Sequence, residues 1–238
     1  MQASFLSQLF EQGEDSDITI VCGEESIRAH RIILRSGCAF FQKMLSTHHF
    51  KESNVDEVRL KEDPKIMKAM IRFFYTSDYP DPEHQDDILM HARMHAAAPY
   101  YQAPLFENRT RYAFSFAIYK VNEYTDDGLR ELAAAIKFVY CDIVPETTRA
   151  LRETTIDYTA NRLKTLAFSK SFMEEIRGSG FWDKVAAAEL SRDVPYEGPS
   201  WDESWSVRTY YTPAPDFSWR KVKELFAGIR LVRNKSTE

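Results

Sequence analysis

Glycine is scarce in this chain, eight residues in 238, and that scarcity removes most ways of cradling a phosphate. Neither a G-x-x-x-x-G-K-[ST] loop nor a G-x-G-x-x-G turn occurs, and no G-x-S-x-G elbow presents a nucleophile. Cysteine is scarcer: Cys22, Cys38 and Cys141 are odd in number and far apart. They make neither a disulfide framework nor a C-x-x-C metal pair, which fits a reducing compartment, cytosol or nucleus. No apolar run approaches the roughly 20 residues that span a bilayer, so no membrane partner is expected. The stretch from Met1 to Phe10 lacks a basic n-region and a continuous apolar h-region, so no secretory leader is expected. A dominant charge sign is missing too, because 31 basic residues face 36 acidic ones for a net of -5. That balance points to neither nucleic acid nor a membrane surface.

What is present is apolar and aromatic mass. Hydrophobic residues make up 44% and aromatics 13% of the chain, which supports a buried core and excludes disorder.

The periodicities then divide the chain. Residues 4–12 read as a short amphipathic helix with Phe5, Leu6, Leu9 and Phe10 on one stripe. Asp17 to Cys22 alternates at period two, as a half-buried strand does, Glu24-Glu25 reads as a turn, and Ser26 to Ala29 as the partner strand. From Arg31 to Leu45 the apolar side chains recur at helical spacing, and Ser36-Gly37 predicts a break into two short helices. Val55 to Leu60 reads as a third strand. Asp63-Pro64 reads as a helix start, carboxylate cap followed by a proline that fixes the first turn. Ile66, Met67, Met70, Ile71, Phe73 and Phe74 would be its buried face. Pro80 to Asp87 reads as a solvated acidic loop, and Ile88 to Ala98 as another helix ending near Pro99. Beyond residue 105 strand signals fade. Helices are predicted over 127–140 and 148–168, with shorter ones near Phe172–Ile176 and Phe181–Leu190. From Pro195 to Pro215 the composition turns proline- and aromatic-rich, and a last amphipathic helix is expected near 218–232.

Six ordered blocks resemble the BTB/POZ family. They are Asp15-Ser-Asp-Ile-Thr-Ile-Val21, Ile27-Arg-Ala-His-Arg-Ile-Ile-Leu34, Ser36 with Phe40-Phe41, Phe50-Lys-Glu-Ser53, Phe73-Phe-Tyr-Thr-Ser77, and Asp78-Tyr79. Their order and spacing hold across roughly residues 14–105. A looser resemblance to the helical extension of fungal BTB proteins covers roughly 106–190. It rests on Ile136-Lys-Phe-Val-Tyr140, Pro145, Leu151-Arg152, Phe172-Met-Glu-Glu-Ile176 and Phe181. The chain departs from the family at Ala97-Ala98-Pro99-Tyr100-Tyr101, where proline would end the helix early. No Kelch repeat, MATH domain or zinc finger follows within these residues.

The expected fold is therefore α+β. A BTB/POZ-like small sheet wrapped by helices would occupy 1–105 and a mostly helical extension 106–193. An aromatic, proline-rich segment with a basic C-terminal helix would occupy 194–238.

The resemblance implies a protein-interaction module with no enzymatic activity, a self-associating scaffold or adaptor. Family dimers form through the N-terminal helix, which assigns Phe5, Leu6, Leu9 and Phe10 to a homodimer interface. Asp17 and Arg31 match a charged pair that lines a pocket at the dimer axis. Phe50-Lys51-Glu52 resembles the signature with which BTB adaptors engage a cullin ubiquitin-ligase scaffold, so Phe50 and Glu52 are the expected partner contacts. The helical extension would recruit a further protein partner.

The remaining candidates read more simply. His30, where strand passes into helix, is expected to hydrogen-bond the backbone. His91 and His95 stand at i and i+4, but Ala92 replaces the glutamate of H-E-x-x-H, so a satisfied pair is expected and no metal. His48-His49 reads the same way, and no cofactor is implied. Glu174-Glu175 reads as a solvated helix face. The tail from Phe217 to Glu238 carries six basic and two acidic residues. Its alternative use is contact with nucleic acid as a nuclear regulatory protein, and docking on the acidic body is preferred. Tyr196, Trp201, Trp205, Tyr210 and Tyr211 are too aromatic for an inert linker.

Overall fold

The computed structural model describes residues 5–46, 56–79, 86–142, 147–162, 166, 169–177 and 180–190. The expectations for His48-His49, Phe50, Glu52, Pro80 to Gln85, Leu163 and 194–238 lie outside the described residues.

Helix α1 (Phe5–Gln12) leads into a hairpin of β1 (Ile18–Cys22) and β2 (Glu25–Ala29). The two strands pair antiparallel, Ile18 opposite Ala29 and Cys22 opposite Glu25. The turn is therefore Gly23-Glu24 rather than Glu24-Glu25. Gly23 takes φ +60°, a left-handed conformation that costs glycine nothing, and this fixes the two-residue connection. Helices α2 (Arg31–Gly37) and α3 (Ala39–Met44) follow, and β3 (Glu57–Leu60) returns parallel to β1, giving the order β2-β1-β3. Ile20 and Cys22 of the central strand are fully buried.

The break between α2 and α3 falls at Cys38, one residue later than Ser36-Gly37 predicts. Gly37 stays in the helix, and its lack of a side chain has a packing reason: a Cβ there would clash with the Phe74 ring. Cys38 offers no side-chain cap to α3. The loop after the proline at 99 supplies one instead, since the amides of Ala39 and Phe40 donate to the carbonyls of Gln102 and Tyr101. Free helix N–H groups need such partners.

Helix α4 (Pro64–Thr76) starts as its sequence predicts, Asp63 accepting from the Lys65 amide at 2.8 Å. Its buried face, Ile66, Met67, Met70, Ile71 and Phe73, forms the centre of the core with Phe41, Leu34 and Phe106. Helix α5 (Ile88–Ala97) ends where Pro99 requires. Helix α6 (Pro104–Lys120) shows no single-stripe periodicity, because aromatic residues lie on both its inner and outer sides. It runs across the expected boundary at 105.

Helix α7 (Asp126–Lys137) packs on α5 and passes into a π-helical turn (Phe138–Asp142), and α8 (Arg149–Asn161) packs on α6. Helix α8 stops short of 168: its last turn tightens, with the Arg162 amide donating to Thr159 O and the Arg162 guanidinium drawn to Glu123 at 3.2 Å. Two further helices, α9 (Lys170–Glu175) and α10 (Phe181–Leu190), pack on α7 and α8 respectively. The fold is α+β, a three-stranded mixed sheet wrapped by helices and continued by a helical region.

Candidate interaction surface

The surface begins with how β2 holds α1. Gly13, at φ +62°, ends the helix, and its amide donates to Leu9 O. A side chain there would collide with the Arg28 guanidinium, which donates to Gln12 O at 2.7 Å. His30 completes the attachment. Its backbone N–H donates to the Tyr75 hydroxyl at 2.8 Å, so the hydroxyl proton turns to His30 Nδ1 at 2.7 Å. That leaves the ring proton on Nε2, which donates to Glu14 O at 2.8 Å. Burial pushes the Tyr75 phenol up to about 12, opposed by the His30 backbone contact. His30 thus bonds backbone as expected, and one tyrosine besides.

The stripe on α1 divides. Leu9 and Phe10 lean on the core, Phe10 lying 5.3 Å from the Tyr75 ring. Phe5 stays 74% exposed and Leu6 is exposed too. Ile32 on α2, two residues before the buried Leu34 and so on the opposite side of the helix, is 75% exposed. Both helices pack on α4, so α4 carries two neighbours that each leave large apolar side chains outside. Single exposed apolar residues need no explanation, whereas clusters do.

Asp17 and Arg31 meet, and two of their contacts use the main chain. Asp17 Oδ1 accepts from the Arg31 amide at 2.7 Å, and Arg31 Nε donates to Asp17 O at 3.2 Å. The carboxylate therefore serves the open N-terminus of α2 from outside the helix. In the single protomer Asp17 is exposed and Arg31 half-buried.

His91 and His95 are both buried on α5, each with its own partner. His91 Nδ1 meets the Tyr79 hydroxyl and His95 Nδ1 meets Glu107 O at 3.1 Å. Among the described residues no group of three or more histidine, cysteine or acidic side chains could hold a metal ion. No described helix is long and apolar enough to cross a membrane.

A second apolar surface lies on α6, where no single apolar stripe marks it. On α6, Leu105, Tyr112, Phe116 and Tyr119 are exposed while Phe106, Ala113, Phe114, Ala117 and Ile118 are buried. The signal that finds them is two parallel stripes offset by one residue. A single-stripe template misses both.

The comparison with protein families agrees with this architecture. The BTB/POZ domain profile matches residues 6–110, and this part of the chain is a BTB/POZ domain. Among curated relatives, the Kelch repeat protein M-T8 of Myxoma virus (strain Lausanne) is 37% identical over 71 residues. That match covers 30% of this chain and 14% of that protein. BTB/POZ and MATH domain-containing protein 6 of Arabidopsis thaliana is 30% identical over 77 residues, 32% of this chain and 18% of that protein. The matches thus span less than a fifth of either relative. Among solved structures, the BTB domain of zebrafish PATZ1 aligns with 97% of its own length and 49% of this chain, at 20% identity and a TM-score of 0.36. The BTB/POZ family is a family of protein-interaction modules.

Proposed function

We propose that the chain is a protein-interaction scaffold that pairs with a second copy of itself through α1 and the start of α2. The observation that carries this reading is the exposure of Phe5, Leu6 and Ile32 on two helices seated on α4. A second copy would remove these side chains from water, at about 25 cal/mol for each Å² of apolar surface covered. Asp17 and Arg31, already placed beside one another, would lie at the rim or axis of that contact. Leu9 and Phe10 contribute by fixing α1 to the core. Light scattering coupled to size exclusion tests the reading on the full chain at tens of micromolar, about the range that exceeds specific affinities. The expected mass is twice that of one chain, and Leu6→Glu with Ile32→Glu should return it to one. A wild-type monomer overturns the reading.

The finer reading is an adaptor for a cullin-type ubiquitin ligase, supported by Phe50-Lys51-Glu52 alone, with the helical extension recruiting the protein to be modified. Calorimetry with a cullin N-terminal domain tests it, and Phe50→Ala should weaken binding by about 2 kcal/mol. The alternative, nucleic-acid contact by the basic residues of 217–238 in a nuclear regulator, requires steeply salt-sensitive binding, and none is expected. Both readings place the chain in the cytosol or nucleus.

A further inference from the structure

The outer side of α6 is a second exposed apolar surface, on a helix other than α1 and α2. Leu105, Arg109, Tyr112, Phe116 and Tyr119 follow one another at steps of 4, 3, 4 and 3 residues, the seam spacing of one helix lying along another. All five are exposed, Tyr112 by 53% and Phe116 by 51%. At 1.5 Å per residue the seam runs roughly 20 Å, about four turns, which suits a helix better than a loop.

The charged residues that α6 itself carries over this stretch share one sign, with Asp86 beside Lys120 and with Arg111 also bordering the inner cleft that holds Glu107 and Glu153. From Asn108 to Lys120 the helix carries Arg109, Arg111 and Lys120 and no acid. Two of the cations lie over the ring faces: Lys120 Nζ is 4.5 Å from the Phe116 centroid and Arg111 Cζ 5.0 Å from that of Tyr112. Lys120 also pairs with Asp86 at 2.8 Å, a contact open to solvent at both ends. A ring with a cation on its face holds positive charge where a partner would land.

We propose that this face binds an acidic amphipathic helix from another protein, apolar at 3-4 spacing and flanked by Glu or Asp. A second copy of the chain fits poorly. Parallel pairing would set Arg109 against the partner's Arg109. Antiparallel pairing about Tyr112 would bring Arg109 to the partner's Phe116 and so beside the partner's Lys120. Like charges meet either way, which opposes association.

The test uses the full chain and two labelled peptides of roughly 20 residues, long enough to hold a helix. Both carry leucine at 3-4 spacing, one flanked by glutamates and the other by lysines at the same positions. Fluorescence anisotropy should show the glutamate peptide binding at least about tenfold more tightly. Tyr112→Ala with Phe116→Ala should weaken it by about tenfold or more, and Arg109→Glu should shift preference toward the lysine peptide. Circular dichroism checks that the exposed-site variants keep their fold. Equal binding of the two peptides, no binding at roughly 100 μM, or wild-type affinity in the double variant each overturns the proposal. Light scattering on the double variant separates the two surfaces. A drop in mass would assign the seam to a second copy and overturn the proposal. An unchanged dimer or monomer with lost peptide binding supports it.

Discussion

Helices α4 and α6 begin alike and finish differently. Each has proline in its first turn and each buries one side in the core. The outer side of α4 holds Lys65, Lys68 and Arg72, so the chain itself completes that helix. The outer side of α6 holds a leucine, a phenylalanine and two tyrosines, with cations among them. Hydrophobic burial stabilises the inner sides of both. Only α6 keeps apolar area that another molecule could cover. The difference separates two meanings of an aromatic residue, one already used in folding and one available for binding.

The largest expected effect tests that separation inside α6. Phe114 is fully buried and Phe116, two positions on, is half exposed. Phe114→Ala should cost about 3–5 kcal/mol in urea unfolding, the scale of an emptied core site. Phe116→Ala should cost less than roughly 0.5 kcal/mol, as surface changes do. Equal losses would mean that the outer side is already covered in the free chain, and the comparison with α4 would fail.

A smaller effect sharpens the contrast at the helix starts. Asp63 accepts from Lys65 N at 2.8 Å, whereas Ala103, before α6, supplies no side-chain cap. Asp63→Ala should lower stability by about 1 kcal/mol, and Asp63→Asn should keep most of it. If alanine and aspartate prove equally stable, the carboxylate adds nothing to the start of α4.

How far the sequence reveals these features depends on how each residue signals. Asp63-Pro64 starts α4 where the sequence places it, whereas β1, expected to alternate as a half-buried strand, buries four of its five residues as the central strand, and Phe74, expected on the buried face of α4, is only half-buried. The hairpin turn shifted by one residue because Gly23, and not the polar Glu24-Glu25, takes the left-handed conformation. Helix α6 was hidden because its apolar residues lie around most of its circumference. The capping of α3 by the carbonyls of Tyr101 and Gln102, some sixty residues away, has no local signature at all.

The smallest expected effect concerns the inner side of α6, where it meets α5. His95 is buried there, its Nδ1 facing Glu107 O at 3.1 Å and Thr110 Oγ1 at 3.4 Å, while Thr110 itself donates to Glu107 O at 2.8 Å. Arg111 on α6, and Arg149 and Glu153 on α8, border the same cleft. Burial holds the imidazole below its ordinary range. The Glu107 carbonyl and charge oppose that shift, and the Arg111 charge adds to it. An unfolded histidine titrates near 6.5, at about its unperturbed value. Between that pH and the lower folded value the unfolded chain binds more protons, so stability falls as pH falls. The contribution is complete above the unfolded value and is lost on acidification. Urea midpoints measured from neutral to mildly acidic pH should therefore decline in the wild type and decline less in His95→Gln. Carboxylates also titrate at the acidic end, so the difference between the two slopes is the quantity to read. Identical slopes would remove His95 from the acid response.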